Sequence, residues 1–236
     1  MPLTAHLAEL RFRLVRSLLG ILIAFFVCFA FVEAIFESLT EPLLRVQTAG
    51  VTLIGTAVPE AFFTKIKVAF FASLILALPV ILWQGWQFVA PGLYEHEKRH
   101  ARLFVFSGTF FFALGAAFCY AVVFPAGFGF FLARYEALGV RPAIRIGEYL
   151  TFSSKLLIAF GIAFEMPVCA YFLTRIGMID HRLLVRQFRY AILGIFILAA
   201  ILTPPDAVSQ VLLALPLTLL YGVSILVAYV ARPRET

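Results

Sequence analysis

Residues Ala159–Pro167 read AFGIAFEMP, placing one carboxylate, Glu165, inside an apolar run that extends from about Leu150 to Thr174. Insertion scales put an acidic side chain at the centre of a membrane helix at roughly 2.5–3.5 kcal/mol, so it normally faces a bundle interior, a cavity or a partner. Pro167 has no N–H to donate to the carbonyl of Ala163, which lets a helix bend beside the acid and leaves an acceptor free. The stretch reads as a helix of a membrane bundle with one polar feature that needs a reason.

The rest of the chain fits that reading. Of 236 residues, 63% are hydrophobic and 14% charged, against about a quarter charged in soluble domains, and the mean hydropathy is +1.00. The apolar runs are long and do not alternate with polar residues, which indicates helices and excludes a membrane barrel. This is an all-α integral membrane protein. The net charge of +6 comes from short basic clusters between apolar runs, with no basic face interleaved with aromatics, so nucleic acid is not the partner. Cys28, Cys119 and Cys169 each fall inside an apolar run and read as packing residues.

Six spans are expected in a single domain, 1–236, at about 17–36, 61–88, 103–124, 150–174, 190–202 and 207–230. An amphipathic segment, 1–16, precedes them, with Leu3, Leu7, Leu10, Leu14 and Leu18 at three- and four-residue spacing. Its bland reading is a collar on the membrane surface. The apolar run after it exceeds the roughly 7–15 residues of a signal-peptide core and lacks a clear cleavage site, so it reads as a retained span. Pro79 should kink the second span, while Trp83 and Trp86 suit an interfacial belt. Lys65 and Lys67 can snorkel. The third span is expected to end at Pro125, and the segments 37–60 and 125–149 to be extended loops. The fifth run covers only about 20 Å of a core of about 30 Å, so the last hairpin should thin the bilayer locally.

Twelve of the 19 Lys and Arg residues fall on the side of the N-terminus: Arg11, Arg13, Arg16, Lys98, Arg99, Arg102, Arg175, Arg182, Arg186, Arg189, Arg232 and Arg234. The positive-inside rule then makes both termini cytoplasmic. There is no convincing internal repeat of the kind that builds secondary transporters.

The spans carry no HExxH motif and no paired aspartates, there is no GxxxxGK[ST], and all four histidines lie in cytoplasmic segments, which argues against an intramembrane enzyme and against nucleotide hydrolysis. His96 and His100 are four residues apart but lack further ligands, and no metal or cofactor is expected. More telling are the acids held in basic cytoplasmic segments: Glu9 in HLAELRFR, and Glu95 and Glu97 in LYEHEKRH. Exposed, each would be a local ion-pair partner worth about 0–1 kcal/mol. If the two segments converge, they offer carboxylates to a cationic ligand, and a guanidinium matches a carboxylate with two parallel hydrogen bonds. Taken from the residues alone, Glu165 is a docking group, a proton relay in a secondary transporter, or an acid satisfied within its own bundle.

Four motifs in order, HLAELRFRL, PVILWQGWQFVAPGLYEHEKR, FGIAFEMPV and LTPPDAVSQVLLALPL, resemble those of the TatC family, the polytopic core of the twin-arginine protein translocase. The resemblance implies a kinked, glove-like bundle of six helices in the cytoplasmic (inner) membrane. It implies a non-enzymatic receptor for twin-arginine signal peptides of folded cargo. The positions that match the family's binding motifs are Glu9, Arg11, Phe88, Pro91, Tyr94 and Glu97. Glu95 and Lys98 depart from the commonest family pattern, which leaves Glu97 as the matched carboxylate of the loop. The same resemblance implies single-span partners of the TatA/TatB type, self-association, and transport driven by the proton-motive force. Gln84 and Glu165 correspond to an intramembrane polar patch, and Asp206 and Gln210 to polar positions on the far side. By a plainer reading, Asp206 caps the last helix and Gln210 packs.

Overall fold

The computed structural model describes residues 3–45, 52–89, 101–203 and 206–231. Helix α1 runs unbroken from Leu3 to Ala30, so the leading amphipathic segment and the first apolar run form one helix. No Pro or helix-ending Gly separates them, and the leucine spacing continues into the apolar run. A break at Phe31 leads to α2 (Val32–Arg45), then strand β1 (Thr52–Ile54). Helices α3 (Glu60–Leu76) and α4 (Leu78–Val89) meet at a 50° bend. Pro79 stands in the first turn of α4, where its missing N–H breaks the ladder, and the kink expected there is present.

Helix α5 (Ala101–Phe118) passes through one π-helical turn, Cys119–Val123, into α6 (Phe124–Ala137). The expected stop at Pro125 does not occur. The N–H of Phe124 bonds the carbonyl of Cys119, five residues back, and this wider turn makes room for the pyrrolidine ring. The helix therefore continues for 36 residues, Arg102–Ala137, and takes up much of the segment expected to be a loop. Strand β2 (Ala143–Arg145) pairs in parallel with β1, Leu53 opposite Ile144, which sets the starts of α3 and of α7 (Ile146–Arg175) side by side. The short α8 (His181–Arg186) and α9 (Phe188–Leu202) precede α10 (Ala207–Val230).

Among the described residues, four helices are long and apolar enough to cross a membrane, and the bent α3–α4 pair makes a fifth; α9 is shorter. Helix α7 is the central post, packing on α3, α5 and α10. Its approach to α5 is close enough to require glycine: a Cβ on Gly115 would lie 2.6 Å from the carbonyl oxygen of Phe160, and one on Gly161 2.5 Å from the ring of Phe112. The largest fully buried side chains, Phe124, Phe160, Leu43, Leu150 and Leu217, gather around α7. Helix α2 is fastened to this core by two tyrosine hydroxyls, Tyr120 donating to the carbonyl of Ser38 at 2.8 Å and Tyr149 to that of Leu39 at 2.7 Å.

Candidate receptor face and intramembrane notch

Helix α4 presents two different faces. Val80, Gln84 and Gln87, at helical spacing, turn toward α1. A Cβ on Gly20 of α1 would touch Val80 at 3.0 Å. About two turns nearer the chain start, Arg13 uses both terminal nitrogens. Its Nη1 donates to Oε1 of Gln87 and, at 3.5 Å, to Oε1 of Gln84, while Nη2 donates to Oε1 of Glu9 at 3.2 Å. Gln84 is buried, and the side chains of Arg13 and Glu9 are only 20% and 22% exposed, so this is a partly dehydrated cluster rather than a solvated pair. Among the described residues no donor reaches the second oxygen of Glu9, which can accept another. Arg13 is the member that the sequence reading passed over, counted only among the basic residues on the side of the N-terminus. The Gln84 and Gln87 pair at the end of an apolar run was the signal that could have found it.

The opposite face of α4 carries Leu82 and Trp86. Trp86 does not join an interfacial belt. It is buried against Phe104 of α5 and Phe172 of α7, ring centroids 5.0 and 5.9 Å away. Trp83 stays exposed.

Glu165 lies on α7 opposite Gly108 of α5, beside Leu82. A Cβ on Gly108 would be 3.1 and 3.3 Å from the two carboxylate oxygens and 2.8 Å from Leu82 Cδ1, so the absent side chain is what makes room for the acid. Both oxygens are covered, and no donor among the described residues reaches either. Gln84 does not bond Glu165; its oxygen is taken by Arg13. Along α7, Pro167 and Tyr171 line an apolar cleft of about 280 Å³ with Ser107, Phe111 and Val227. A buried carboxyl group without a partner is expensive, roughly 1–3 kcal/mol or more if charged, which marks it as a group kept for something other than the stability of this chain.

Of the other sequence-selected residues, Arg11 is exposed and Phe88 half-buried at the end of α4. Pro91, Tyr94, Glu95 and Glu97, with His96 and His100, lie outside the described residues. Asp206 caps α10, accepting from the N–H of Ser209 at 2.9 Å, and the Gln210 amide donates to the carbonyl of Phe196 at 2.9 Å, joining α10 to α9. Among the described residues no three His, Cys, Asp or Glu side chains gather as a metal site.

The family model described as Sec-independent protein translocase protein (TatC) matches residues 5–216. The chain is 47% identical over 232 residues to the Sec-independent protein translocase protein TatC of Campylobacter jejuni subsp. jejuni, covering 98% of this chain and 95% of that one. To the protein of the same name from Escherichia coli (strain K12) it is 40% identical over 236 residues, with coverage of 99% and 91%. A crystal structure of a twin arginine translocase receptor, TatC, superposes with a TM-score of 0.88 at 39% identity, covering 96% of this chain and 99% of that one.

Proposed function

The chain belongs to the TatC family, and from that premise we propose that it is the receptor that reads twin-arginine signal peptides of folded cargo for the translocase. As a family member it is a non-enzymatic membrane component of the Sec-independent, twin-arginine protein translocase. The reading is carried by one observation: Arg13 ties Glu9 to Gln84 and Gln87, so the N-terminal carboxylate stands beside the end of α4, from which the segment bearing Glu97 departs. Glu9 and Glu97 take the two guanidinium groups, each by a charge-assisted pair that arginine makes bidentately and lysine does not. Arg11, Phe88, Pro91 and Tyr94 complete the surface.

Six spans with both termini in the cytoplasm of the inner membrane follow from the basic-residue count and from counting α9 as a span. Glu165, with the adjoining cleft, receives a polar group on the helix of a single-span partner of the TatA/TatB type, and transport draws on the proton-motive force. Further copies of the chain complete the assembly. The test is photocrosslinking of a twin-arginine peptide to the purified protein in nanodiscs. The E9A/E97A variant should lose crosslinking and affinity, and a twin-lysine peptide should bind the wild type poorly. Unchanged affinity in the double variant would remove these residues from the site.

A further inference from the structure

Between α3, α7 and the end of α9 lies an open cleft of about 720 Å³ whose lining includes Phe63, Lys67, Phe152, Lys155, Ile201 and Leu202. We propose that it holds an anionic phospholipid of the leaflet opposite the N-terminus, its phosphate between Lys67 and Lys155 and an acyl chain along the aromatic and aliphatic wall.

Three observations converge on that occupant. The first is charge. The acids that border the cleft are already committed: Glu60 accepts from the backbone N–H groups of Thr56, Ala57 and Gly147, at 2.6, 3.2 and 3.3 Å, and Glu148 pairs with Arg145 at 2.7 Å. No carboxylate among the described residues pairs with Lys67 or Lys155, whereas Lys65, two residues from Lys67, is paired with Glu33 at 2.5 Å. Two ammonium groups from different helices thus border one cleft with their charge unmet.

The second is depth. The β1–β2 pair sets the starts of α3 and α7 level with each other. Lys67 lies seven residues from the first, Glu60, and Lys155 nine from the second, Ile146, so both ammonium-bearing residues sit about 10–14 Å along their helices. Centred on a core of about 30 Å, the 30-residue α7 extends beyond it by about 7 Å at each end, so in an undistorted bilayer both lie just inside the hydrocarbon edge, where an unpaired charge is costly.

The third is the short helix beside them. With 15 residues, α9 spans about 22 Å of a core of about 30 Å. Its end, with Ile201 exposed and Leu202 half-buried, borders the same cleft. A leaflet that thins to meet α9 brings its headgroups down by several ångströms on this flank, toward the two lysines. Lys67 and Lys155 then meet phosphate where they would otherwise meet hydrocarbon, and an anionic headgroup is favoured over a zwitterionic one.

Native mass spectrometry of the full chain, titrated with phosphatidylglycerol and phosphatidylcholine of matched acyl chains, tests this. The wild type should retain one phosphatidylglycerol with about tenfold preference, and K67Q/K155Q should lose that preference, the scale of two partly screened ion pairs. K65Q, which changes the same charge on the same helix outside the cleft, should behave as wild type. Equal binding of the two lipids, an unchanged K67Q/K155Q variant, or an equal loss in K65Q would each overturn the assignment. So would displacement of the lipid by millimolar inorganic phosphate, which would make the cleft a site for a free anion.

Discussion

Replacing Glu165 with leucine should make the isolated protein more stable and the translocase less able to assemble. Both carboxylate oxygens are shut away from solvent with no donor among the described residues in reach, and burying a polar group without a partner costs about 1–3 kcal/mol relative to a satisfied one. Leucine is shorter by one heavy atom, and fits where Gly108 leaves space opposite and Leu82 supplies an apolar neighbour. The small loss of volume takes back part of the gain, so a net stabilisation of about 1 kcal/mol or somewhat more is expected. At roughly 2–4 °C per kcal/mol for a chain of this size, the melting temperature of E165L in detergent should rise by about 2–5 °C. E165Q, which keeps a buried polar group, should gain less. The assay is thermal unfolding followed by tryptophan fluorescence, beside co-purification of a single-span partner from the same membranes. Partner recovery should fall in E165L, while twin-arginine peptide affinity stays close to wild type. A melting temperature several degrees lower, with partner recovery intact, would refute the reasoning, because it would mean that Glu165 is satisfied within its own bundle.

Other perturbations follow from the same geometry. R13Q removes the charged tie among Glu9, Gln84 and Gln87; because the group is partly exposed the loss should be about 1 kcal/mol, read as roughly fivefold faster amide hydrogen exchange in residues 7–16 with the core unchanged. Gly115→Ala drives a Cβ to 2.6 Å from a backbone oxygen of α7, an overpacking that should cost about 1–3 kcal/mol and lower the melting temperature by roughly 2–12 °C. On α2, hydrogen bonds from Arg45 and then from Tyr120 hold the Glu41 carboxyl below its ordinary value of 4.5. A lowered folded-state value stabilises above the unfolded one and is lost as pH falls through the folded one, so E41Q should melt below wild type at neutral pH, the gap closing as the pH drops below about 4.5.

Much of this was legible in the sequence, and the exceptions have physical causes. The Thr203–Asp206 turn announces the start of α10, since two prolines stop a helix and aspartate caps the next; the capping bond to Ser209 is there. Pro79 announced a kink and made one, yet Pro125, the same residue type in a similar apolar run, ended nothing. The difference lies in the π turn at Cys119–Val123, which rearranges the hydrogen bonding just before the proline and leaves no mark in composition. The three-residue strands were hidden because so short a pairing is a tertiary event, not a pattern. The carboxylate Glu165 stood out as an isolated acid, but its orphaned state depends on Gly108, 57 positions away, and only the packing of α5 on α7 brings the two together.

The two faces of α4 explain why the proposed cargo recognition and the proposed partner docking should separate in mutants although both border one helix. Val80, Gln84 and Gln87 hold α1 and its N-terminal acid, while Leu82 and Trp86 hold α5 and α7, with Trp86 locked between Phe104 and Phe172. A change at Arg13 releases the first face and leaves the aromatic lock, so the wall of the notch stays in place. A change at Glu165 acts on the second face and leaves the Arg13 cluster whole. Neither chemistry substitutes for the other: a guanidinium needs an anionic rim, whereas an orphaned carboxyl group under lipid needs a single polar partner delivered along a helix. Helix α4, set at an angle to α3 by the bend at Ala77 and pinned on both sides, keeps these two environments apart by little more than its own diameter.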